Sequence, residues 1–176
     1  MDISKSSRHS KLTGDFAEAL VLYWLSKYGF ECALVDHTGI DMIARNPHSN
    51  EIMGISVKSR SRTHGTADDS ITIPADSFKK AQRASDAFGC RPWFAIVVDA
   101  KDTIRVFLLP MDHLLKVCPI RQRGSYWKVS QRYLDQYWSD EEIKIFEFRT
   151  ETVRWWKTKP PNNALKRDAA KSRRAP

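Results

Sequence analysis

Apolar side chains fill almost every position from Phe16 to Leu25, and Gly29 and Phe30 then close the run. This pattern predicts a helix from Asp15 to Tyr28 with Gly29 in the C′ position. So dense an apolar run predicts burial on more than one side. Three short β-rich runs follow, at 31–35, 40–44 and 52–59. The segment Arg-Asn-Pro-His-Ser-Asn-Glu between the last two is rich in turn formers and predicts a hairpin. Residues 60–70 read as a surface loop and 71–73 as a short strand. Asp76 to Phe88 then shows helical periodicity: Phe78, Ala81, Ala84 and Phe88 share one face, Asp76 or Ser77 is placed to cap it, and Gly89 ends it. Runs at 93–98 and 103–109, separated by Asp-Ala-Lys-Asp, predict a second hairpin. A short helix is expected at 111–117, and weaker elements at 125–130, 131–137 and 143–149. The order α-β-β-β-α-β predicts an α/β domain with a central mixed β-sheet flanked by helices. The expected organisation is a flexible lead over 1–12, a single domain over 13–157 and a basic disordered tail over 158–176.

A chain of 176 residues, 41% hydrophobic and 28% charged, suits one such domain with a core of its own. No apolar run approaches the roughly 18 residues that span a bilayer, so no membrane partner is expected. The segment from Met1 to Lys11 has no apolar stretch of the secretory kind. The three cysteines, Cys32, Cys90 and Cys118, are widely spaced and form no CxxC pair. A reducing, cytoplasmic setting is the expectation. The net charge of +8 is unevenly placed: residues 1–11 carry +2 and 157–176 carry +6, so the intervening body is neutral. Basic tails of this kind fit loose contact with phosphates, and equally a solvated terminus.

Three ionisable residues sit where apolar neighbours predominate. Glu18 lies in the first helix, Asp41 between Ile40 and Met42 in a strand, and Lys58 in the next strand. Strand alternation puts Met53, Ile55 and Val57 on one face and Gly54, Ser56, Lys58 and Arg60 on the other. Charges in apolar elements need partners, and all three are accounted for if they meet. Two carboxylates that meet repel each other unless a cation lies between them. Magnesium, or manganese, fits: it takes oxygen ligands, keeps several waters, polarises a phosphoryl oxygen and acidifies bound water. A lysine beside it steadies the charge that develops in the transition state. The five histidines have no HxxxH or similar spacing, which argues against zinc, and no Gly-rich phosphate loop is present.

Gly14 and Glu18, then Leu25, Gly29 and Phe30, then Gly39, Asp41 and Met42, and last Lys58 stand in an order that resembles the PD-(D/E)xK nuclease superfamily, in particular its Holliday-junction-resolvase-like and restriction-endonuclease-like branches. The resemblance covers residues 14–60. It implies a restriction-endonuclease-like fold and a magnesium-dependent endonuclease acting on DNA phosphodiester bonds, on structured or branched DNA in particular. It also implies that Glu18, Asp41 and Lys58 lie at the metal centre, with Glu18 and Asp41 as the metal ligands. Ser56 departs from the pattern, because the family places an acid or glutamine two residues before the lysine. A hydroxyl is a poorer ligand, so Ser56 is expected to be an auxiliary contact at most, and an inactive relative that binds nucleic acid or a protein partner is the competing expectation.

Each residue also has a plainer explanation. Glu18, three residues after Asp15, fits a helix-capping box. Asp41 can end a turn after Gly39, and Lys58 can snorkel from an edge strand. Lys58, Arg60 and Arg62, with Lys79, Lys80 and Arg83 on the following helix, form a candidate grip on a nucleic-acid backbone, or a solvated face. The aromatic stretch Tyr126, Trp127, Tyr133, Tyr137, Trp138, Trp155 and Trp156 reads first as core or homodimer packing, and second as a platform for unpaired bases.

Overall fold

The structure, a computed structural model, describes residues 7–62, 70–100 and 102–150, without the side chains of Ser7 and Arg62. The chain runs α1 (Ser7–Lys27), β1 (Glu31–His37), β2 (Ile40–Arg45), β3 (Ile52–Arg62), β4 (Ser70–Pro74), α2 (Ala75–Phe88), β5 (Arg91–Ala100), β6 (Thr103–Pro110), α3 (Met111–Val117), β7 (Gly124–Lys128), α4 (Gln131–Trp138) and β8 (Lys144–Arg149). Six strands form one sheet in the order β1-β2-β3-β5-β6-β8. The β3–β5 pair is parallel and the other pairs in this sheet are antiparallel, so the sheet is mixed. β4 and β7 pair separately.

Two apolar layers hold helices to the two faces of this sheet. Ala17, Leu20, Val21 and Leu25 of α1 pack on Met42, Ala44, Met53, Ile55, Val57, Ala95, Val97 and Val106. Phe78 and Ala81 of α2 and Leu114 of α3 pack on Phe94, Ile96, Phe107 and Leu109, with Trp127 and Tyr137 beneath. Each fully buried Leu, Ile or Phe in these layers contributes about 1.5–3 kcal/mol. Both expected hairpins form, β2–β3 and β5–β6. Gly29 and Gly89 hold the positive φ angles of helix-ending residues, 84° and 64°.

Three expectations about the helices need correction. α1 begins at Ser7, not Asp15, and so runs through much of the stretch read as a flexible lead. It is buried on one side only: Leu12, Phe16 and Tyr23 are 65%, 48% and 60% exposed. A single sheet face is available to this helix, so only residues at the spacing of Ala17, Leu20, Val21 and Leu25 are covered. At α2 the cap position falls on Pro74, and neither Asp76 nor Ser77 caps it. Proline fixes φ and has no N–H, which suits it to a helix entrance without a side-chain cap. The tail over 158–176 lies outside the described residues. No helix among the described residues is long and apolar enough to cross a membrane.

Candidate active site

The site lies where β2 and β3 part. Their ladder runs from Arg45↔Ile52 to Met42↔Ile55 and stops there. β3 continues along β5 as far as Arg62↔Ala100. Just past the last β2–β3 rung the Asp41 carboxylate replaces the missing backbone partner: Val57 N–H donates to Asp41 Oδ2 at 2.5 Å. Such a charge-assisted bond is roughly twice as strong as a neutral one. It fixes an aspartate at a position where a strand otherwise disfavours it. Gly39, two residues earlier, has φ +116°, and a Cβ there would lie 2.3 Å from Lys80 O. The glycine therefore lets α2 cross directly beside the end of β2 that carries Asp41.

Lys58 projects from an interior strand, between β2 and β5, so it is not an edge-strand lysine. Its ammonium donates to Ser56 Oγ at 2.8 Å and to Val57 O at 3.1 Å. Burial lowers its proton affinity below that of an ordinary lysine, while Asp41 and then Glu18 pull it back up. Glu18 shows the converse. Burial raises its pKa, Asp41 and Asp15 raise it further by repulsion, and only Lys58 opposes them. Glu18, Asp41 and Lys58 thus lie within one another's electrostatic reach. Because α1 starts at Ser7, Glu18 is well inside the helix and cannot be part of a capping box. No hydrogen-bond partner holds its carboxyl among the described residues.

These groups suit a hard divalent cation. The set offers the Glu18 and Asp41 carboxylates and the Val57 carbonyl, all oxygen donors of the kind magnesium takes. A cation between the carboxylates would also relieve the repulsion that raises the Glu18 pKa. Among the described residues no three acidic, histidine or cysteine side chains gather around one point. Ser56 is 2% exposed and already serves as acceptor for Lys58. Glu51, the other acid on this approach, is remote from the centre and accepts from Arg91 and from the Trp93 indole N–H.

The basic residues divide. Arg60, Lys79 and Arg83 are exposed. Lys80 is engaged with Asp76 at 2.6 Å. The Arg62 side chain lies outside the described residues. Of the aromatic stretch, Trp127 and Tyr137 are buried and stacked with centroids 4.0 Å apart, and Tyr133 packs beside them. Tyr126 is half-buried, and Trp138 is exposed. Trp155 and Trp156 lie outside the described residues. Two contributors were not legible in the sequence: the Val57 amide, since backbone groups carry no residue signature, and Asp15, whose charge acts on Glu18.

No protein-family model matches the chain, and no curated protein matches it. Among solved structures it is similar to Hjc, a Holliday junction resolvase from the archaeal hyperthermophile Archaeoglobus fulgidus. That similarity has a TM-score of 0.48 and 17% identity over 65% of this chain and 87% of the other. It is also similar to a bacterial homing endonuclease, I-Ssp6803I, at a TM-score of 0.39 and 14% identity over 92% and 97% of the two chains. A restriction endonuclease in complex with substrate DNA gives a TM-score of 0.36 and 16% identity over 90% of this chain and 76% of that one.

Proposed function

We propose that this chain is a divalent-metal-dependent endonuclease that hydrolyses phosphodiester bonds in DNA, on structured or branched DNA in particular. The observation that carries the reading is the electrostatic coupling of Glu18, Asp41 and Lys58 at the point where Asp41 binds the Val57 amide. Glu18 and Asp41, with the Val57 carbonyl, would hold magnesium or manganese. The ion when bound polarises the phosphoryl oxygen and acidifies the attacking water. Asp41 is held in place by Val57 N–H, so its free oxygen is fixed before substrate arrives. Lys58 carries a donor on an interior strand, where water competes little, and holds the attacking water or a phosphoryl oxygen. Arg60, Lys79 and Arg83 would contact flanking phosphates. The choice of DNA follows the motif resemblance over residues 14–60.

A second reading has an observation of its own in favour. Ser56 stands where the family carries an acid, and its hydroxyl is buried against the Lys58 ammonium. A catalytically inactive protein that binds nucleic acid or a protein partner would tolerate this. The two readings separate on incubating the full chain with plasmid and four-way-junction DNA, with and without magnesium or manganese. Metal-dependent cutting that disappears in Lys58→Ala supports the nuclease. Salt-sensitive binding without cutting supports the second reading.

A further inference from the structure

Residues 114–134 contain Lys116, Arg121, Arg123, Lys128 and Arg132 and no acidic residue. This excess of +5 stands inside a body, residues 12–156, whose charges sum to zero. The five cations fall at the end of α3, along the turn into β7, at the end of β7 and in the first turn of α4. β7 pairs with β4, outside the six-stranded sheet that carries the candidate active site. A cavity of about 350 Å³ opens among these elements, lined by Arg121, Tyr126, Lys128 and Tyr133, with Cys118 in its wall.

The lining follows from local structure. Ser125 and Trp127 of β7 are buried, so Tyr126 and Lys128 share the outward face, about 7 Å apart along the strand. Arg121 joins them through a tight turn, in which Arg121 and Gly124 exchange backbone hydrogen bonds. Tyr133 comes from the first turn of α4. Arg121 is exposed, and Lys128 and both tyrosines are half-buried. Among the described residues neither cation has an ion-pair partner, in contrast to Lys80 with Asp76 and Arg91 with Glu51 and Asp112. Burial pushes the Cys118 thiol up, so it serves as wall and not as nucleophile.

Unpaired cations beside half-exposed aromatic rings are the two parts of a single-strand site. The charges follow the sugar–phosphate backbone, and the rings stack on bases whatever their sequence. Five cations exceed what one phosphate group takes up, which favours a strand over a free nucleotide. A duplex keeps its base faces stacked on one another and offers the tyrosines none. We propose that this cleft binds a single-stranded segment of nucleic acid, apart from Glu18, Asp41 and Lys58, none of which lines it. Tyr126 and Tyr133 stack on bases, and Arg121 and Lys128 hold the phosphates beside them. Such a site works without a metal, in a nuclease and in an inactive binder alike.

Fluorescence anisotropy in EDTA tests this with the full chain and a labelled oligothymidine, set beside a base-free strand of the same length and a blunt duplex. The oligothymidine is expected to bind about tenfold tighter than the base-free strand, the scale of one base–aromatic stack. Tyr126→Ala should remove most of that difference and leave duplex affinity unchanged, while Tyr126→Phe, which keeps the ring, retains it. Arg121 is exposed, so Arg121→Ala leaves the fold intact. It should flatten the dependence of log affinity on log salt by about 0.7, the share of one single-strand phosphate contact. Equal affinity of the wild type for the two strands, or variants that change neither affinity nor salt dependence, would overturn the cleft. An equal loss on the duplex in Tyr126→Ala would overturn it too, as a general structural effect. So would displacement of the oligomer by an equal concentration of thymidine monophosphate, which would make the ligand a free nucleotide. Binding as expected, without any cutting in magnesium or manganese, overturns the nuclease reading and leaves the cleft standing.

Discussion

Gly39→Ala should be among the costliest small substitutions in this chain, and its cost can be worked from the geometry. At φ +116° an alanine is strained by about 1–3 kcal/mol. The new Cβ would also meet Lys80 O at 2.3 Å and Ala81 N at 3.0 Å. These are backbone atoms of α2, so no side chain can rotate away, and relief requires the helix or β2 to move. Overpacking of that kind adds about 1–3 kcal/mol, for a total of about 2–6 kcal/mol. That is a large part of the 5–15 kcal/mol that keeps a typical domain folded. Gly14→Ala is the matched control: it lies inside α1 with nothing within 4 Å of the added carbon. There alanine should stabilise by about 0.5–1 kcal/mol. Urea unfolding followed by tryptophan fluorescence, in EDTA, measures both. A Gly39→Ala cost below about 0.5 kcal/mol would refute the claim that this glycine sets the approach of α2 to the strand carrying Asp41.

Other outcomes follow from the same contacts. Ser56→Glu should place a carboxylate against Lys58 and, in a protein that is silent as found, switch on metal-dependent cutting of plasmid DNA; continued silence in a folded variant would count against a nuclease ancestry of the site. Glu51→Ala should cost about 1 kcal/mol in urea unfolding, through the donors left on Trp93 and Arg91, without altering any cleavage rate. Burial, with the Cys118 thiol beside it, raises the Tyr137 pKa far above 10. The unfolded chain therefore loses this proton first, and the stability Tyr137 contributes is full below about pH 10 and drains away above it. Tyr137→Phe should flatten the decline of unfolding free energy between pH 9 and 11, and an unchanged slope would contradict the assignment.

Much of this fold is written in short-range signals. Gly29 and Gly89 end their helices as the sequence announces, and the turn residues between Arg45 and Ile52 make the expected hairpin. The mixed sheet between helices follows from the order of elements. What could not be read is what depends on tertiary partners. The apolar density of α1 pointed to deep burial, but only one sheet face exists for it to cover, so Phe16 and Tyr23 remain exposed. Pro74 replaced the expected side-chain cap, because the chain enters α2 straight from β4. At the site, the misfit of Glu18, Asp41 and Lys58 with apolar surroundings marked them beforehand. The Asp41–Val57 bond was invisible, since it depends on where two strands separate rather than on any residue type.

In the proposed site the two carboxylates, Glu18 and Asp41, hold a divalent ion between them. Titration of the metal-free protein with manganese, read by electron paramagnetic resonance as loss of the free-ion signal, measures this without any DNA. One ion bound per chain, and none in Asp41→Asn or Glu18→Gln, is the predicted result. Manganese that stays free with the wild type, or that binds equally well to both variants, would contradict it.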